Sequence, residues 1–147
     1  MDLGLHGKVA MVAASSKGLG FGIARELAKE GALVSIGART EADVFDAADV
    51  LIEETEAEVL PNVLDVSDSD SIFQWVENTV NAFGGVDCLV VNAGGPPAGK
   101  FDDFADSDWQ AAFELTLMSS VRMIRQVLPP MRQAGGGSIL TITSVSV

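Results

Sequence analysis

Short, nearly all-apolar runs alternate along the chain with segments whose apolar residues recur every three to four positions. Lys8 to Ala14 is the first such run, the pattern of a strand buried on both faces, and it breaks off at Ser15-Ser16-Lys17-Gly18-Leu19-Gly20. Ile23, Ala24, Leu27 and Ala28 then mark a helix that Gly31 closes. Ala32 to Gly37 predicts a second buried strand. From Thr40, which with Asp43 is placed to cap a helix, Val44, Ala47, Ala48, Leu51 and Ile52 form an apolar stripe with acids opposite. Val59 to Asp65 reads as a third strand, and Pro61 within it points to a sheet edge. Ser67-Asp68-Ser69-Asp70 has the form of a capping box, and Ile72, Trp75, Val76, Thr79, Val80 and Phe83 continue it as a helix to Gly84-Gly85. Val86 to Val91 is a fourth strand, followed by a Gly/Pro-rich loop from Asn92 to Gly99. Ser107 with Gln110 is placed to open a long helix striped by Trp109, Phe113, Thr116, Leu117, Ser120, Val121, Ile124 and Leu128. Gly135 to Gly137 interrupts it before a fifth β-rich run, Ser138 to Thr143.

Strands alternating with helices of this length predict one α/β domain over residues 1–147, a doubly wound parallel sheet of five strands with flanking helices, Rossmann-like in layout. Ligands of such sheets sit outside the carboxyl ends of the strands, at the point where strand order reverses. The positions to inspect are therefore Ser15 to Gly20, Arg39, Asp65, Asn92 to Gly95, and Ser144.

Composition narrows the classes. The chain is 48% hydrophobic, which excludes disorder, and its single cysteine, Cys88, has no partner for an intrachain disulfide. Together these favour a cytoplasmic protein with Cys88 as an inert thiol in an apolar strand. No run is long and apolar enough to cross a membrane, and the first residues lack the basic start and apolar core of a targeting segment. The net charge of −12 is uneven: residues 1–39 carry +2, residues 40–99 carry −13, and residues 100–147 carry −1. That sign argues against a nucleic-acid partner, and it makes the few cations near the N-terminus stand out as a place for an anionic ligand. His6 is the only histidine, so a multi-histidine metal site cannot be built, and no metal is expected.

The turn Ala14-Ser15-Ser16-Lys17-Gly18-Leu19-Gly20 lets backbone approach a pyrophosphate, whose charge meets the N–H groups and positive dipole of the next helix. Its place between a buried first strand and a helix points to dinucleotide binding. Where a carboxylate would receive a ribose 2′-hydroxyl, the second strand instead ends Gly37-Ala38-Arg39. Arg39 can fork onto a 2′-phosphate and Lys17 can add a second cation, which favours NADP(H) over NAD(H).

The glycine turn, Leu64-Asp65-Val66, Val91-Asn92-Ala93-Gly94 and Ile142-Thr143-Ser144-Val145 occur in order, and with them the chain resembles the N-terminal portion of a short-chain dehydrogenase/reductase. Ala14 to Gly20 together with Gly94-Gly95-Pro96-Pro97 is similar to relatives of the 3-oxoacyl-[acyl-carrier-protein] reductases. The resemblance implies that Ala14 to Gly20 and Arg39 hold the cofactor and that Asp65 and Val66 hold its adenine. It implies that Asn92, Ala93 and Gly94 flank its riboses, and that Ser144 hydrogen-bonds a substrate carbonyl. It implies reduction of a small-molecule or acyl-carrier-linked carbonyl, and a homo-oligomer in the full-length form.

Three departures qualify this. Ala14 stands at the family's first turn glycine, so binding is expected to require negative φ there. Thr116 stands where the family's long helix supplies an Asn to a proton relay. The family's acid, a Tyr followed by x-x-x-Lys beyond the Ser, has no counterpart in a sequence with no Tyr. The expectation is an NADP-dependent short-chain oxidoreductase represented without the C-terminal part of its fold, the 147 residues alone being inactive. The alternative is a non-catalytic dinucleotide-binding fragment or regulatory module. A Rossmann methyltransferase is disfavoured by Arg39, since its cofactor's ribose carries no phosphate.

Overall fold

The computed structural model describes residues 1–144; Val145 of the last motif and the terminal Val147 lie outside the described residues. Five strands form one sheet: β1 (Val9–Ala13), β2 (Leu33–Ala38), β3 (Val59–Val63), β4 (Cys88–Val91) and β5 (Ser138–Thr141). Their order is β3-β2-β1-β4-β5, and every described pairing is parallel. The register sets Val12 opposite Ile36 on one side and Val90 on the other, so strand order reverses beside β1. β3 is an edge strand, as Pro61 requires.

The helices are α1 (Gly18–Lys29), α2 (Glu41–Thr55), α3 (Ser69–Phe83), α4 (Asp106–Phe113) and α5 (Ser119–Gln133). β1 is wholly buried and its side chains alternate between two cores. Ala10 and Val12 join Ala24 and Ala28 of α1 and Val44, Ala48 and Leu51 of α2. Met11 and Ala13 join Ile72, Trp75 and Val76 of α3 and Met123, Val127 and Met131 of α5. Two helix layers thus cover the two faces of the sheet.

Several element ends differ from the sequence reading. β3 stops at Val63 because the chain turns at Asp65, whose carboxylate accepts from both the backbone N–H and the hydroxyl of Ser67, at 2.9 and 2.6 Å. That spends Ser67, so α3 is capped by Asp68, which accepts the Asp70 N–H at 2.9 Å, and not by a Ser67 box. Thr40 does precede α2, but its side chain makes no capping bond. α4 is entered through Ala105, whose N–H donates to Asp108 at 2.8 Å, and not through Ser107 with Gln110. β5 stops at Thr141, two residues before Thr143.

The largest correction concerns the long helix. Between α4 and α5, Glu114–Met118 forms a π-helical segment. Its extra residue rotates the face that meets the sheet, so a stripe projected from Trp109 and Phe113 at regular helical spacing loses its phase. The buried face is Ser119, Met123, Val127 and Met131. Trp109, Phe113 and Leu117 stay exposed, the ring of Trp109 lying 5.6 Å from that of Phe101.

Candidate cofactor cleft

The turn after β1 is built by side chains spent on backbone. Ser15 is fully buried: its hydroxyl donates to the Val12 carbonyl at 2.6 Å and accepts the Gly37 N–H at 3.2 Å, tying the turn to β2. Asn92, at the end of β4, donates from Nδ2 to the carbonyls of Ala13 and Ala14 at 3.3 and 3.2 Å. Held from both sides, Ala14 adopts φ +48°, which overturns the negative φ expected there. An alanine tolerates the left-handed region at a cost of about 1–2 kcal/mol, and the anchored turn keeps the shape a glycine would give it. Gly20 is required by close approach: a Cβ there would lie 2.3 Å from the Ala14 carbonyl oxygen and 2.9 Å from Asn92 Nδ2. Gly18 has φ +61° at the start of α1.

That helix begins without a capping side chain and with no acid in its first turn, so no side chain satisfies its leading N–H groups. In front of it opens a cleft of about 420 Å³. Its lining includes Ala14, Ser16, Lys17, Leu19, Arg39, Val66, Asn92, Ala93 and Gly94, all candidates from the sequence. Lys17 and Arg39 are both exposed and, among the described residues, neither is held in an ion pair. Gly95, within the stretch Asn92 to Gly95 marked for inspection, also lines it, whereas Thr40, Asp43, Leu64 and Leu115 complete much of the wall and were missed by sequence reasoning. Position alone signalled Thr40 and Asp43, in and before the first turn of the helix that follows Arg39.

Other candidates stand apart from the cleft wall. Ser15, Gly18 and Gly20 shape the turn from behind or beside it. Asp65 is exposed, and the two bonds from Ser67, opposed by partial burial and aided by the Arg39 charge, hold its carboxyl below the usual range. The same turn is tied to α5, where Arg122 donates to the Ser67 carbonyl at 3.4 Å and pairs with Glu114 at 2.7 Å. Thr116 does not border the cleft. Its hydroxyl donates to the Ala112 carbonyl at 2.7 Å inside the π-helical turn, beside a separate groove lined by Trp109 and Phe113. Ser144 follows β5, exposed and outside the cleft lining. Burial and the neighbouring Asp87 charge push the Cys88 thiol up, away from thiolate chemistry. A second cavity of about 330 Å³, lined by Pro96, Pro97, Phe104, Trp109, Ala112 and Leu115, shares Leu115 with the cleft.

A parallel sheet in this order, with a glycine turn and uncapped helix at its switch point, defines a Rossmann-like dinucleotide-binding architecture. The short chain dehydrogenase family model matches residues 8–147, and the chain belongs to that family. It is 34% identical over 143 residues to dehydrogenase/reductase SDR family member 4 of Oryctolagus cuniculus, covering 97% of this chain and 55% of the relative. Among solved structures it is similar to L-sorbose reductase of Gluconobacter frateurii complexed with NADPH and L-sorbose. There the identity is 39% and the TM-score 0.94, over 99% of this chain and 55% of that one. It is also similar to an actinorhodin polyketide ketoreductase with NADPH, at 35% identity and TM-score 0.88, over 93% of this chain and 53% of that one. The chain spans about half the length of the relatives it matches.

Proposed function

We propose that this chain is the cofactor-binding half of an NADP-dependent carbonyl reductase. The observation that carries the reading is the pair Lys17 and Arg39, two cations that no ion pair holds among the described residues, on the wall of a cleft entered by an uncapped helix N-terminus. Bound there, a nicotinamide dinucleotide supplies the hydride for reduction of a carbonyl carbon. The N–H groups opening α1 take the pyrophosphate, Arg39 and Lys17 take the 2′-phosphate, and Asp65 and Val66 lie at the adenine end. Asn92 keeps the turn in shape, with Ala93 and Gly94 beside the riboses. Ser144 hydrogen-bonds the carbonyl oxygen of a small-molecule or acyl-carrier-linked substrate. In its full-length form the protein is a cytoplasmic homo-oligomer. Among the described residues no helix is long and apolar enough to cross a membrane, and no His/Cys/Asp/Glu group is suited to a metal ion.

A second reading, a dinucleotide-binding module that does not catalyse, is favoured by one observation: the Thr116 hydroxyl is spent on the Ala112 carbonyl. On either reading the 147 residues alone turn over no ketone, because neither Thr116 nor Ser144 supplies a proton at a useful pKa. Calorimetry on the longest natural form carrying this sequence tests the cofactor assignment. Arg39→Asp is expected to weaken NADPH by about 1–3 kcal/mol more than NADH. Equal weakening of the two would overturn it.

A further inference from the structure

Resting on the cofactor reading above, we infer that Asp43 limits the selectivity of this cleft for a phosphorylated over an unphosphorylated adenine ribose. The cleft wall holds Lys17 and Arg39, and it also holds this one carboxylate from the first turn of α2. Asp43 is placed to cap that helix, yet neither it nor Thr40 makes a capping bond, and among the described residues its carboxylate has no hydrogen-bond or ion-pair partner. Its charge is already favoured by the helix N-terminus and needs no ligand to hold it. Facing the same space as the two cations, it repels a dianionic phosphate that they attract. Its charge thus offsets part of the attraction that Lys17 and Arg39 offer a phosphate, in addition to the nearby Asp65, whose carboxyl already feels the Arg39 charge. An unphosphorylated ribose meets no such repulsion, and its hydroxyl can donate to a carboxylate.

Asp46 gives the matching control. It is one helical turn further along, also exposed, and lines a neighbouring groove that shares Ser16, Lys17 and Asp43 with the cleft, without bordering the cleft itself. Removing its charge changes the net charge of the chain equally, but at a position outside the cleft lining.

The test is isothermal titration of the longest natural form with NADPH and NADH, for the parent, Asp43→Asn and Asp46→Asn, at low and high ionic strength. Asp43→Asn should raise the ratio of NADPH to NADH affinity by about 3- to 10-fold at low salt, the size of a partly screened charge contact. That gain should shrink at high salt, and Asp46→Asn should leave the ratio within about twofold of the parent. An unchanged ratio in Asp43→Asn, or equal gains in both variants, overturns the role of Asp43 while leaving the cofactor reading intact. A parent that binds neither dinucleotide overturns both.

Discussion

Ser35 sits in the middle of β2 at full burial, and a substitution to alanine there is expected to be far more costly than the loss of one oxygen suggests. The Thr79 hydroxyl donates to the Trp75 carbonyl at 2.8 Å, so in its 2.7 Å contact with Ser35 Oγ it can only accept. Ser35 therefore donates to Thr79 and accepts from Trp75 Nε1 at 3.0 Å and Asn62 Nδ2 at 3.2 Å. One donor and two acceptors are all a hydroxyl has, and each is used. Asn62 in turn donates to the Leu60 carbonyl and accepts from Asn78, so it has no ready replacement for Ser35. Ser35→Ala strands the indole N–H of Trp75, which is 1% exposed, and one amide N–H of Asn62. Two buried donors left unmade, with some relaxation of Asn62, cost about 2–4 kcal/mol. Urea denaturation followed by far-UV circular dichroism measures this directly. In a Trp75→Phe background the same substitution should cost about 1–2 kcal/mol less, because one stranded donor is gone. A Ser35→Ala penalty under about 0.5 kcal/mol, or one unchanged by Trp75→Phe, would refute the hydrogen-bond assignment.

Two further outcomes follow from the turn and its neighbours. Gly20→Ala should destabilise by about 1–3 kcal/mol and abolish NADPH heat in calorimetry, since its Cβ would enter the Ala14 carbonyl; a variant that melts and binds like the parent would place the turn wrongly. Asp65, its carboxyl held low by Ser67, adds stability that is fully present above the carboxyl's unfolded pKa and lost as pH falls through the lower folded one, so Asp65→Asn should flatten the acid limb of the stability curve while a parallel limb in both proteins would count against the turn.

The elements that were legible in the sequence share a cause. β1 and α1 announce themselves because burial on both faces leaves no polar position in Val9–Ala13 and because small residues repeat at Ala24 and Ala28. Pro61 forecasts an edge because a central strand would need its missing N–H. Caps were less legible, since Ser67, Asp68, Thr40 and Ser107 all have suitable side chains and only the competing bond decides: Asp65 takes Ser67, and Asp108 reaches Ala105 first. The π-helical segment left no mark in the apolar spacing of the residues before it, so past Glu114 the buried face shifted to Ser119, Met123, Val127 and Met131, with only Ile124 of the projected stripe packed against that core.

The same reasoning separates what composition could say about the cleft from what geometry adds. Lys17 and Arg39 were readable because they fall at fixed offsets from a glycine turn and a strand end, positions that topology brings together in any sheet of this order. Asp43 was not, because a carboxylate in a first helical turn is the expected cap, and only the absence of that bond returns its charge to the cleft. Ser15 is the converse: its hydroxyl is consumed at Val12 and Gly37, which makes this turn serine the bolt between β1 and β2. Side chains offered to a ligand by this fold are therefore those the backbone does not use. That criterion selects Lys17, Arg39 and Asp43 over Ser15, Asn92 and Thr116, whose polar atoms already serve the turn or the helix.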